Sequence, residues 1–180
     1  MAATRRGTPT GTAIGHRREI RRFAERPLSP GHLERILDAG RRAGSSKNTQ
    51  RREFIVCRER AHLRELAEVG PYAGHLGGAA VAVALVTPDP RGPGDPLSIA
   101  FDVGLAAQNM MLAAWELGVG SCPITVYDAD LVREILGFPP DRHCAFLLSL
   151  GYPAEPSVLT APPRAGGRRP LEEIVHRERW

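Results

Sequence analysis

The residues best equipped for chemistry are four arginines in a run of six: Arg17-Arg18-Glu19-Ile20-Arg21-Arg22. Placed on a helix, Arg17 and Arg21 share one face, as do Arg18 and Arg22, and like charges so spaced repel by about 0.2–0.5 kcal/mol per pair. A bound anion relieves that repulsion. A phosphate does so with bidentate, charge-assisted bonds that guanidinium groups make and ammonium groups do not. Taken alone, the run is more commonly a solvated basic face, here partly neutralised by Glu19 and Glu25. A second basic cluster, Gly166-Gly167-Arg168-Arg169-Pro170, lies near the other end of the chain, and by itself it reads as an exposed tail.

Two polar or glycine-rich stretches stand between them. Ser45-Ser46-Lys47-Asn48-Thr49-Gln50 offers hydroxyls and amides just before an apolar run, a suitable place to hydrogen-bond a heteroaromatic ring, though a plain polar loop has the same composition. Gly118-Val119-Gly120-Ser121-Cys122 lets backbone approach a flat ligand closely, and turn chemistry explains it as well. It is neither a phosphate-binding loop ending in Gly-Lys-Ser/Thr nor a dinucleotide fingerprint.

Other chemistries find little support. The six histidines show no H-E-x-x-H and no paired spacing with cysteine, so no metal site is expected. There is no G-x-S-x-G nucleophile elbow. Asp102 and Glu116 stand too far apart on one helix to work as a carboxylate pair. Cys57, Cys122 and Cys144 are three thiols without a C-x-x-C, which points to a reducing, cytoplasmic setting. The N-terminal residues have no apolar leader segment, and the longest apolar stretch contains Asp102, Gln108, Asn109 and Glu116, against a membrane span.

These side chains need a scaffold, and 180 residues suffice for one domain. Hydrophobic residues make up 42% and charged residues 24%, an ordinary globular balance that excludes general disorder and a disulfide scaffold. Net charge is +4, but residues 1–60 hold 15 Lys and Arg against 6 Asp and Glu, and the remainder 9 against 14. The first third is therefore the anion-attracting part.

Residues 1–14 lack periodicity and read as a flexible tail. A first helix is expected from His16 to Phe23. Ser29 reads as an N-cap with Pro30 at the first helical position, and Leu33, Ile36 and Leu37 follow at helical spacing, with Gly40 or Gly44 ending the helix. Phe54–Cys57 reads as a buried strand, Ala61–Val69 as a short helix with Leu63 and Leu66 inward, and Ala79–Thr87 as a central strand, apolar on both faces. Four prolines and two glycines in Pro88–Pro96 mark a surface loop. Ser98–Leu117 is the longest helix, apolar nearly all round, as suits a core or a subunit interface. Pro123–Val126 is a short extended piece. Asp128 caps a helix that Gly137 stops, Cys144–Leu150 is a further strand, and Pro153–Gly167 is an extended arm.

The order of these pieces resembles the nitroreductase family of FMN-dependent oxidoreductases. The resemblance rests on R-R-E-I-R-R-F at 17–23, S-S-K-N-T-Q at 45–50, D-V-G-L-A-A-Q-N-M-M-L-A-A-W-E-L-G-V-G-S-C at 102–122, L-G-Y-P at 150–153 and R-R-P-L-E-E-I-V-H at 168–176. It implies an α+β fold, with a mixed sheet flanked by helices around a long central helix. It implies a domain over 15–180 with a C-terminal arm, 153–180, that embraces the partner of an intertwined homodimer. FMN would lie in each of two interface clefts. Residue by residue, Arg17, Arg18 and Arg21 match the basic motif that holds the FMN phosphate and reaches the ribityl chain and pyrimidine. Arg168 matches a late arginine that meets the phosphate from the partner subunit. Ser45 and Asn48 match a loop beside the flavin. Pro123, Ile124 and Thr125 match a stretch that backs the ring or offers a donor toward N5.

The chain departs from the family pattern in two places. Glu19 stands where Ser or Thr is usual, and Arg51-Arg52 replaces a Pro-aromatic pair after Gln50. The implied activity moves a hydride from NAD(P)H through the flavin to a small acceptor such as a nitroaromatic, a quinone or a flavin, in ping-pong fashion, with no side chain named as catalytic. Alternatives are dehalogenation or flavin breakdown on the same fold, a non-catalytic flavin binder, or a basic nucleic-acid-binding module. Only 6% aromatic residues, and no stacking platform near the arginines, argue against the last of these.

Overall fold

The computed structural model describes residues 10–92, 96–162 and 167–180. In chain order the elements are α1 (Thr10–His16), α2 (Pro30–Arg41), β1 (Glu53–Cys57), α3 (Arg60–Leu66), β2 (Val81–Pro88), α4 (Pro96–Glu116), β3 (Gly120–Thr125), α5 (Ala129–Leu136) and β4 (Arg142–Gly151), with short 3-10 turns between them.

The four strands form one sheet in the order β1-β2-β4-β3. Val81, Val83 and Leu85 of β2 face a core built with α2 and α4, and Ala82, Ala84 and Val86 face a second core built with α3 and α5. The apolar run of β2 thus reflects burial on both faces. Gly40 of α2 has Met110 of α4 packed over its bare α-carbon, so these two helices approach closely on one side of the sheet.

Local signals explain several boundaries. Asp128 caps α5 by accepting from the Leu131 N–H at 2.9 Å, and Gly137 ends it in the left-handed region at φ 67°. Pro30 opens α2 as expected, although Ser29 makes no side-chain cap bond. By length and composition Leu97–Glu116 could cross a membrane. It instead buries Val103, Met110 and Ala114 against the sheet and α2, and its Asp102 accepts the Ser46 N–H at 3.1 Å on both carboxylate oxygens.

Five expectations need correction. The helix expected over His16–Phe23 is absent: α1 ends at His16 and residues 17–23 run extended. The charge repulsion that a helix would impose on the four arginines is avoided, and Ile20 and Phe23 gain burial against Gly120 and Gly151. Thr10–Ile14 are helical rather than a tail, while the tail expected over residues 1–9 lies outside the described residues. Strand β1 is a half-exposed edge, because only β2 pairs with it. Strand β3 starts at Gly120, not Pro123, because the turn is completed at Gly118 (φ 70°) and Ser121 and Cys122 are already buried. The sheet's four strands pair only antiparallel, and among the described residues the one parallel contact is the isolated bridge between Glu19 and Ser121. The arm after β4 carries a 3-10 turn at Pro156–Leu159. Parts of the Pro88–Pro96 loop, of the arm and of the late basic cluster lie outside the described residues.

Candidate functional site at an arginine-lined cleft

The segment that follows α1 is stitched to the sheet by its backbone. Ile20 N–H donates to the Ser121 carbonyl at 2.9 Å, Ala24 N–H to Tyr152 O at 2.8 Å, and Ala154 N–H to Arg22 O at 3.0 Å. Ile20 fits only because residue 120 has no side chain: a β-carbon there would lie 2.7 Å from Ile20 Cβ. From this extended backbone the half-buried Arg17 and Arg18 and the exposed Arg21 and Arg22 all reach one cleft. They line this open cleft of about 1160 Å³ together with Ile14, Val158, Pro162 and Arg168.

The arginines of this cleft differ in what they already hold. Arg17 Nη1 donates to Glu19 Oε1 at 2.7 Å and lies 3.7 Å from Met111 Sδ, and its side chain is only 17% exposed. Arg18 is tied to backbone: Nη1 donates to Gly15 O at 3.0 Å and to Arg17 O at 2.9 Å, and Nη2 to Ala161 O at 3.1 Å. Arg18 therefore fastens the arm to the start of the domain, as Trp115 does by donating Nε1–H to Leu159 O at 2.9 Å. Arg21 and Arg22 are exposed and, among the described residues, have no side-chain hydrogen bond or ion pair. Arg168 donates to the neighbouring Gly167 O at 2.8 Å.

Burial also shapes the neighbours. It pushes the Cys122 thiol up to about 11, with the Arg21 guanidinium pulling the other way. Burial, helped by the Arg21 charge, lowers the pKa of His75, whose Nε2 is enclosed without a partner.

One chain brings together Arg17, Arg18, Glu19, Arg21 and Arg168. Arg168 thus reaches its own chain's cleft, where the resemblance had it reaching a partner's. Ser45, Asn48, Pro123, Ile124 and Thr125 do not line that cleft. The Ile124 side chain is buried in the α3–α5 core, so only its backbone is available to a ligand, whereas Pro123 and Thr125 are exposed.

Ser45 and Asn48 belong to a tightly held turn against α4. Lys47, Asn48 and Gln50 all adopt positive φ (51°, 54° and 51°), a conformation costly for side chains other than glycine. The turn is held by Asp102, by Gln50 N–H donating to Ser45 Oγ at 3.0 Å, and by Arg52, which donates to the carbonyls of Arg41 and Ala43. Sequence reading passed over Asp102 and Arg52 in this role. A carboxylate near the start of a mostly apolar helix was the available signal.

The nitroreductase family model matches residues 14–74 and 68–152. The chain belongs to the nitroreductase family. An Archaeoglobus fulgidus protein provisionally named NADH dehydrogenase/NAD(P)H nitroreductase is 34% identical over 170 residues, covering 91% of this chain and 94% of the relative. The structure of a Parabacteroides distasonis protein of the same provisional name superposes with a TM-score of 0.84 at 24% identity, covering 96% of this chain and 99% of that one. The NADPH:FMN oxidoreductase of Vibrio harveyi, solved in complex with NAD+, gives a TM-score of 0.83 at 26% identity, over 96% of this chain and 78% of its own. The α+β arrangement around α4 is thus the nitroreductase fold, and the chain is an oxidoreductase of that family.

Proposed function

We propose that this nitroreductase-family chain binds FMN and uses NAD(P)H to reduce a small acceptor such as a nitroaromatic, a quinone or a flavin, by a ping-pong sequence. The observation that carries the reading is the convergence of Arg17, Arg21, Arg22 and Arg168, from opposite ends of the chain, on one open cleft of about 1160 Å³. Guanidinium forks match phosphate oxygens in geometry and charge. The apolar wall of Ile14, Val158 and Pro162 suits a flat ring. The donor set therefore fits a flavin mononucleotide, with two carboxylates of contrary charge in the lining, Glu19 paired to Arg17 and Glu155 on the arm.

When bound, FMN supplies the hydride chemistry through N5. The chain's own residues bind and orient it. Arg17, Arg21 and Arg168 hold the phosphate and the adjoining chain, and Arg18 keeps the arm in place. The positive charge that Arg17, Arg21, Arg22 and Arg168 bring to the cleft would offset the negative charge of a bound flavin nucleotide. No side chain is needed as a proton donor.

Two copies supply what one lacks. Leu97, Phe101 and Leu105 on α4 are 84%, 68% and 37% exposed, a helical stripe that a second copy would cover. The same association would carry Ser45 and Asn48, which one chain holds away from its own arginines, to the partner's cleft. Within this reading residues 15–180 form the binding domain, with 153–180 as its arm. Three buried free cysteines favour a reducing, cytoplasmic location.

The test is to purify the protein, load it with FMN, and follow anaerobic reduction by NADH and by NADPH, then reoxidation by a panel of acceptors. The expected result is a yellow dimer whose flavin bleaches with one nicotinamide and recovers with acceptor. A colourless protein that cannot be loaded with FMN overturns the reading.

A further inference from the structure

Within the cleft, the half-buried Arg17 guanidinium is not idle. Arg17 carries its own carboxylate, Glu19, at 2.7 Å, with side-chain exposures of 17% and 34%. The other cations there are either fastened to backbone, as Arg18 is, or exposed, as Arg21 and Arg22 are. The best-desolvated cation gives a phosphate its strongest bond, because solvent screens it least. Among the cleft cations not fastened to backbone that one is Arg17, and it is already neutralised.

Glu19 has little freedom to leave. Its backbone is bridged to Ser121, and the next residue, Ile20, is wedged against Gly120. Only the side chain can swing outward. A phosphate approaching Arg17 must therefore break the ion pair and then tolerate the displaced carboxylate close by.

We propose that Glu19 is a specificity-determining residue of this cleft: an internal anion that competes with the ligand's phosphate for Arg17 and so narrows the preference for FMN over phosphate-free flavin. The inference rests on the flavin reading of the site and adds a consequence particular to this chain. With Glu19 in place, the flavin is held more by its ring and ribityl chain than by its phosphate, and it exchanges readily.

The experiment measures binding of FMN and of riboflavin to the apo protein by quenching of flavin fluorescence, for the wild type and for Glu19→Gln and Glu19→Ser. The expected result is FMN binding tighter by about 10-fold or more in both variants, on the scale of a charge-assisted bond regained, with riboflavin binding within about twofold of wild type. In an Arg17→Ala background, Glu19→Gln should lose most of its effect. An FMN-to-riboflavin affinity ratio that is the same in wild type and both variants overturns the inference while leaving the flavin site intact. Failure of every protein to bind either flavin overturns the flavin reading itself, and the inference with it. The two variants differ in size, and circular dichroism before titration shows that each is folded.

Discussion

Ile20 lies directly over Gly120, so close that a β-carbon at residue 120 would meet Ile20 Cβ and Cγ2 at 2.7 Å. The contact docks the arginine segment onto the edge of β3. Phe23 repeats it over Gly151, where an added β-carbon would lie 2.8 Å from the ring. Two glycines thus clear the track on which residues 17–23 run extended.

Gly120→Ala should therefore destabilise the fold by about 1–3 kcal/mol, the usual cost of forcing an extra carbon into a packed site. The urea midpoint reads this directly. An unchanged midpoint would mean that Ile20 moves aside freely and that the docking is loose.

Asp102 should prove necessary to the 45–50 turn. It is 5% exposed, and its carboxylate takes the Ser46 N–H on both oxygens. Asp102→Ala leaves that amide without its partner and should cost about 1–3 kcal/mol. Asp102→Asn, which keeps an acceptor oxygen, should cost less. Amide exchange at Ser46 is the local readout: if it is no faster in the alanine variant, the turn is held by other bonds.

Acid sensitivity follows from two histidines. Burial lowers the pKa of His75 and of His143 below 6.5 in the folded chain. Unfolded, both rings take up a proton as pH falls through 6.5, while the folded chain resists it. Stability from these groups is thus fully present above the unfolded value and is lost as pH falls through the lowered folded value. The urea midpoint should drop between about pH 7.5 and 5, and the His75→Gln/His143→Gln pair should show a smaller drop. An equal drop in the double variant would assign the effect elsewhere.

The thiols should be inert. Burial pushes Cys122 up to about 11 and Cys144 up to about 12, and it raises Cys57 as well. At pH 8 almost none of the reactive thiolate is present. Iodoacetamide should leave all three unmodified in the folded protein and label them once urea is added, as mass spectrometry will show. Fast labelling of Cys122 in the native state would contradict its burial beside β4.

Much of the architecture was open to reading from the residues. Leu33 and Ile36 after Pro30, Leu63 and Leu66, the cap at Asp128 with the stop at Gly137, and the two-faced apolar run of β2 all encode their elements within a few neighbours. Their periodicity and end chemistry are local, so the chain displays them directly. The exposed edge character of β1 was hidden, because Phe54–Cys57 is apolar enough for a core strand and only the sheet order leaves it with one neighbour.

The amino-acid order by itself determined the helices α2 to α5, the central strand β2, the family resemblance and the arginine content of the candidate site. Only the tertiary structure decided that residues 17–23 are extended, that Arg168 joins the early arginines, that Glu19 pairs with Arg17, and that Asp102 holds the Ser45–Gln50 turn. The difference is physical. Local elements are written in the spacing of near neighbours, whereas these four outcomes depend on which distant residues the chain packs together, a matter of shape and burial that no periodicity records.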